Sequence, residues 1–194
     1  MYQENGRVTW YYTTSAVRVE EQKTLRLSSY VASGQNVFTS NQDISRGTIE
    51  SIVAVEGNLT EEQHNALTEL LTFKSALQIV RGRAGVGKSY VLRQIAAIAE
   101  ELKVQTIGVA PTHKAKEALA FDGFRYTDTI KWMLFKLANG RFALPKNSLL
   151  VVDEAGMIGN DNFSELLRVA ATRKCSVILS GDERQLSVQR GGMF

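Results

Sequence analysis

Soft metal ligands are scarce in this chain of 194 residues, which has one cysteine, Cys175, and two histidines, His64 and His113. A lone thiol excludes an internal disulfide, and three scattered ligands do not make up a structural zinc site. No apolar run approaches the roughly 20 residues needed to cross a bilayer. The opening residues carry no secretory signal pattern, so a reducing cytoplasm with no membrane partner is the expected setting. A strong charge excess is missing too: 23 Lys/Arg against 20 Asp/Glu leave a net +3, too little by itself to announce a polyanionic partner. The distribution says more. Residues 1–58 hold five Lys/Arg against six Asp/Glu, whereas residues 111–147 hold seven against three. What remains is an ordinary globular composition, 44% hydrophobic and 22% charged, long enough for one full domain plus an extension.

The chain is organised around Gly82-Arg83-Ala84-Gly85-Val86-Gly87-Lys88-Ser89, a glycine, four residues, then Gly-Lys-Ser. The apolar run Ala76 to Val80 predicts a buried strand before it. Tyr90 to Leu102, with Val91, Leu92, Ile95, Ile98 and Leu102 on one stripe, predicts a helix after it. A strand, a glycine loop and a helix N-terminus together suit phosphate: backbone N–H groups turn inward, the helix dipole favours the anion, Lys88 reaches the β/γ-phosphates and Ser89 ligates Mg²⁺. The cofactors this implies are ATP and Mg²⁺, held by Gly82, Ala84, Gly85, Val86, Gly87, Lys88 and Ser89.

Upstream, Arg7 to Thr14 is rich in β-branched and aromatic residues and predicts a short strand. Tyr11 and Tyr12 invite comparison with the nicking tyrosines of relaxases, but those enzymes need a histidine cluster, so packing is the better account. Ser15 is expected to cap a helix through Tyr30, and a second helix is expected over Ile44 to Val55, ended by Gly57-Asn58. Residues 1–58 thus read as a small accessory segment. Thr60-Glu61-Glu62-Gln63 is a capping-box sequence opening an amphipathic helix through Ala66, Leu67, Leu70 and Leu71. Gln63 has a second reading, because a donor beside an acceptor matches the adenine edge; on spacing alone the capping role leads.

Downstream, strands alternate with helices, which predicts a parallel sheet flanked by helices. Gln105 to Ala110 is a strand, followed by Pro111-Thr112-His113-Lys114 where a helix through about Ala120 begins, Thr112 capping it. Thr127 to Ala138 is expected to be helical, with Ile130, Met133, Leu134 and Leu137 facing the core. Trp132 and Phe135 fall beside that stripe among lysines; such aromatics can stack bases, but for any one of them core packing is favoured. Leu149 to Val152 is a buried strand ending in Asp153-Glu154, placed to hold Mg²⁺ through water and to polarise an attacking water. Asn160 or Asp161 is expected to cap the next helix, and Ser176 to Ser180 is a fourth strand, running into Gly181-Asp182.

Five runs in order now resemble helicase motifs: Leu59-Thr60-Glu61-Glu62-Gln63, the phosphate loop, Ala110-Pro111-Thr112-His113-Lys114-Ala115, Asp153-Glu154-Ala155-Gly156-Met157-Ile158, and Gly181-Asp182 with Gln185-Leu186. Together they are similar to RecD-like superfamily 1B DNA helicases. The Asp-Glu-Ala-Gly-Met run and the closing Arg190-Gly191-Gly192-Met193-Phe194 look most like the TraA/TraI-type relaxase-helicases of plasmid conjugation. Thr127-Asp128-Thr129-Ile130 resembles a further DNA-contact motif. The resemblance implies a RecA-like motor domain over residues 59–194, with the sensor strand between the phosphate-loop strand and the acidic strand. Gln63 would read adenine, Asp153 with Ser89 would hold the metal, and Lys88, Glu154 and Gln185 would be catalytic. Thr112, His113, Lys114 and Thr129 would meet single-stranded DNA. It further implies that a second RecA-like domain, with its arginines, is needed beyond this chain, so that alone it would bind ATP, turn it over slowly and not unwind DNA. Two other functions compete: a module that holds ATP or DNA without turnover, and a phosphate-loop kinase.

Overall fold

The structure, a computed structural model, describes residues 2–4, 7–9, 14–40, 44–55, 59–83 and 87–182. In chain order these form β1 (Tyr2–Glu4), β2 (Arg7–Thr9), α1 (Ser15–Ala32), α2 (Val37–Ser40), α3 (Arg46–Val55), α4 (Glu61–Thr72), β3 (Leu77–Arg81), α5 (Lys88–Glu101) and β4 (Thr106–Ala110). There follow α6 (His113–Phe121), β5 (Tyr126–Thr129), α7 (Ile130–Ala138), β6 (Leu149–Val152), a 3-10 turn (Ala155–Met157), α8 (Asn160–Arg173) and β7 (Ser176–Gly181).

Five strands make one parallel sheet in the order β3-β7-β6-β4-β5. The centre of that sheet is covered on both faces, so its strands are apolar throughout rather than alternating. All four residues of β6 and the first five of β7 are buried. Alternate residues still go to opposite cores. Leu149, Val151 and Ile178 pack with α4, α5 and α6 on one face, and Leu150, Val152, Val177 and Leu179 with α7 and α8 on the other. The strand beside the phosphate-loop strand β3 is β7, which separates it from the acid-ended β6, the order expected from the motifs.

The early helices are built into these cores. Phe38, Ile49 and Val53, each 1% exposed or less, join the cluster around Leu67, Leu71 and Ile95, while α1 lies along α8. Asn36 fixes the join: its amide donates to Leu70 O at 2.9 Å and Phe73 O at 3.0 Å. The Val37 N–H donates to Ser176 Oγ at 2.7 Å.

Several boundaries differ from expectation. Thr14, not Ser15, caps α1, its hydroxyl accepting from Val17 N. The helix expected from Ile44 starts at Arg46, where Ser45 Oγ accepts from Thr48 N at 3.0 Å. Neither Asn160 nor Asp161 caps α8; Gly159 holds the cap position with no side-chain bond. Tyr126–Thr129 is a strand rather than the start of a helix, pairing with β4 along the sheet edge. Of the strand expected over Arg7 to Thr14, Arg7–Thr9 pairs antiparallel with Tyr2–Glu4; Tyr11 and Tyr12 lie outside the described residues.

Candidate functional site

Because the sheet is parallel, every strand delivers its following loop to the same rim, where open α/β sheets place ligands. Gly82 follows β3, Thr112 follows β4, Thr129 closes β5, Asp153 follows β6 and Gly181 closes β7. The Gly82 N–H donates to Gly181 O at 3.4 Å, joining the start of the phosphate loop to the end of β7. Gly181 also passes close to the acidic turn: a Cβ there would stand 3.6 Å from Gly156 N.

At the far end of the loop Gly87 has φ +89°, a left-handed conformation that residues with a side chain rarely adopt, and caps α5 without a side-chain bond. The α5 N-terminus therefore offers first-turn N–H groups outside the helix's own ladder and the positive dipole end that suit phosphate. Lys88 folds back over the loop, its ammonium donating to Gly82 O and to Arg83 O, the latter at 2.9 Å. Ser89 is exposed in the first turn of α5. Ala84, Gly85 and Val86 lie outside the described residues, as does Gln185.

Gln63 closes the capping box and also lies beside the phosphate loop. The capping box is formed, with Thr60 N donating to Gln63 Oε1 at 3.1 Å and Gln63 N to Thr60 Oγ1 at 3.3 Å. The other end of that amide lies against the loop, since a Cβ on Gly87 would come within 2.2 Å of Gln63 Nε2.

Asp153 extends the ladder one residue past β6, its N–H donating to Val109 O at 2.9 Å. At Glu154 the backbone turns left-handed, φ 51° and ψ 38°, and leaves the strand for the 3-10 turn. For a residue with a long side chain this costs about 1–2 kcal/mol, and no sequence signal marked it. The turn holds the Glu154 carboxylate at the rim, where Oε2 accepts from Thr112 Oγ1 at 3.4 Å.

Thr112 also caps α6, accepting from Ala115 N at 3.2 Å; His113 and Lys114 are exposed beside it in the first turn. Thr129 is 8% exposed and its hydroxyl accepts from Trp132 N, so it acts as the cap of α7. The aromatics divide. Phe124 is buried and Phe121 is 81% exposed, while Trp132 and Phe135 are exposed at 50% and 44%, against the core packing favoured for these two. Their low contrast with a helical core stripe hid this, because Trp132 and Phe135 sit one position beside it.

In kind the groups on this rim, an ammonium, a hydroxyl and carboxylates beside a helix N-terminus opened by the left-handed Gly87, are those a magnesium nucleotide calls for. This is a phosphate-loop NTPase domain of RecA-like fold. A family model described as "AAA domain" matches residues 58–194, and the chain belongs to that family, the RecD-like superfamily 1 helicases.

Conjugal transfer protein TraA of Agrobacterium fabrum is 26% identical over 152 residues, 78% of this chain and 14% of the relative. Multifunctional conjugation protein TraI of Escherichia coli K12 is 25% identical over 135 residues, 66% of this chain and 8% of the relative. ATP-dependent RecD2 DNA helicase of Deinococcus radiodurans is 31% identical over 139 residues, 70% of this chain and 19% of the relative. The chain thus spans less than a fifth of the length of each. Its role is that of a helicase-type NTPase domain, and no described helix is long and apolar enough to cross a membrane.

Proposed function

We propose that this chain is the ATP-binding motor domain of a translocase that moves on single-stranded DNA during conjugative transfer. The observation that carries the reading is the convergence on one rim of the phosphate loop, the Asp153-Glu154 turn and the Thr112-His113-Lys114 helix start. Bound ATP with Mg²⁺ supplies the phosphoanhydride and the counter-charge to its oxygens.

Lys88 exchanges the Gly82 and Arg83 carbonyls for phosphate oxygens, and Ser89 and Asp153 hold the ion. Glu154 takes the proton of the attacking water, and Gln185 senses the terminal phosphate. His113 and Lys114 grip the strand's phosphates with Thr112 beside them, while Thr129, expected to share the contact, is buried as the α7 cap and instead sets where that helix starts. Thr112 touches both Glu154 and the first turn of α6, a short physical link between the base and the strand-facing loop. None of these residues supplies positive charge opposite the phosphate loop. An arginine in that role contributes on the order of 10³–10⁵ in rate in related NTPases, so hydrolysis by this chain alone is slow, and fast turnover requires a second RecA-like domain.

Calorimetry with Mg²⁺-ATP tests the reading: wild type binds, while Lys88→Ala and Asp153→Asn bind far more weakly. Equal affinity in Lys88→Ala refutes it.

A further inference from the structure

Trp132 and Phe135, neighbours on successive turns of α7, stand half in solvent with their rings stacked, centroids 4.9 Å apart and planes within 11°. Large apolar side chains gain from burial, so two adjacent exposed rings are a costly surface to leave open. They are also held in place. The Lys136 ammonium lies 5.9 Å from the Trp132 ring and 5.7 Å from the Tyr126 ring. It is itself pinned by Asp128 at 2.8 Å, and Asp128 in turn accepts from the Tyr126 hydroxyl at 3.1 Å and from Thr129 N at 2.8 Å. Tyr126 stacks on Phe142 with centroids 4.4 Å apart, and the Arg141 guanidinium lies 5.9 Å from the Phe135 ring. Two stacked ring pairs, Phe142 with Tyr126 and Trp132 with Phe135, are therefore joined through Lys136 and ended by Arg141.

We infer that the Trp132–Phe135 face of α7 is a base-stacking platform for single-stranded nucleic acid. Flat, parallel rings offer π-faces that any base can use, and cations beside them hold phosphates. No acidic residue occurs in α7, and Lys131 and Arg141 are exposed, so the face complements a polyanion. The charge of Asp128 does not oppose this, since it is buried and matched by Lys136. Rings already fixed by their neighbours lose little freedom on binding. A duplex, with its bases already stacked, has no face to offer. Position agrees, because α7 starts from Thr129 on the rim that also carries His113 and Lys114, so a strand gripped there by its backbone runs onto the platform. The inference rests on the single-strand reading above and adds base contacts to its phosphate contacts.

The test is fluorescence anisotropy of the full chain at low salt, with an oligothymidylate and an abasic phosphodiester strand of equal length. Wild type is expected to bind the thymidylate roughly ten-fold or more tightly than the abasic strand. Trp132→Ala with Phe135→Ala erases that difference, and Trp132→Phe keeps most of it, which also controls for folding. Equal binding of both strands by wild type, or an unchanged preference in the double variant, overturns the platform. If in that event Lys114→Ala still weakens both strands alike, the backbone-gripping reading stands without it. If wild type binds neither strand, both readings fall while ATP binding is judged separately. Thymidylate-independent retention of a protein partner on the Trp132–Phe135 face, abolished by the double variant, would assign the face to protein docking instead.

Discussion

Gly87 is the residue on which loop, helix and Gln63 meet. Its left-handed φ alone would cost an alanine about 1–2 kcal/mol, and the added methyl would push Gln63 Nε2 from its place. Gly87→Ala is therefore expected to lower unfolding free energy by at least that amount in urea and to abolish nucleotide binding by calorimetry. Thr60→Ala separates the capping role of Gln63 from its proposed role at the nucleotide. It should remove about 0.5–2 kcal/mol of capping while leaving ATP affinity near wild type; a matching loss of affinity would show that the capping box positions the glutamine for the nucleotide. The box was legible from spacing, because an N-cap and its N3 partner are three residues apart in any helix. The contact with Gly87 was not, because it depends on how α4 packs against α5. Glu154 was hidden for another reason. The other non-glycine residues described with positive φ, Lys103, Asn147 and Lys174, sit at returns to strands on the far rim. Glu154 is the one described non-glycine residue to adopt that geometry beside the nucleotide loop, held by tertiary surroundings that no local pattern encodes.

At the scale of elements, β5 and α7 show both what a pattern reveals and where it stops. The helix was visible in the spacing of Ile130, Met133 and Leu137. The strand ahead of it was not, because Tyr-Thr-Asp-Thr is four residues long with three of them polar, and becomes a strand by pairing with β4. Asp128 enters that edge buried and is tolerated because Lys136, Tyr126 and Thr129 satisfy it. The hydrogen bond to Asp128 raises the Lys136 ammonium above the ordinary lysine value of 10.5, and burial followed by the Asp128 charge raises the Tyr126 phenol above its usual 10.0. A raised value in the folded state means stability fully present below the unfolded pKa and lost as pH rises through the folded one. Thermal melts between about pH 9 and 12 should therefore show an alkaline fall in Tm that is shallower in Lys136→Met. A parallel pair of curves would mean the pair adds nothing to stability. Asp128→Ala, which strands Lys136 without its partner and frees Thr129 N, is expected to cost roughly 1–3 kcal/mol at neutral pH.

Across the whole molecule, α1 to α3 behave as part of the same packed body as the nucleotide sheet, though composition upstream of Leu59 carries no chemical motif. Phe38 is fully buried beside residues of α4 and α5, and Phe38→Ala is expected to destabilise the sheet-bearing domain by about 3–5 kcal/mol. Removal of residues 1–58 should leave a protein that no longer unfolds in one cooperative transition, as read by circular dichroism against urea. A sharp, unchanged transition would show that the early helices are an appendage. This integration was not readable beforehand, since Val37-Phe38 and Ile49-Val53 are short apolar sets whose partners lie in elements more than ten residues away.

A sheet with all five strands parallel also gives the molecule a working side and a mute one. The helix ends that return to the strands, among them Asn139-Gly140 after α7 and Lys174 after α8, lie on the side away from the phosphate loop. Cys175 is 2% exposed and burial pushes its thiol up, so a cysteine substituted at Asn139 would be the thiol open to maleimide. Molecules anchored through that position to a coated surface would all present the nucleotide rim outward, the uniform orientation that optical recording of single molecules requires.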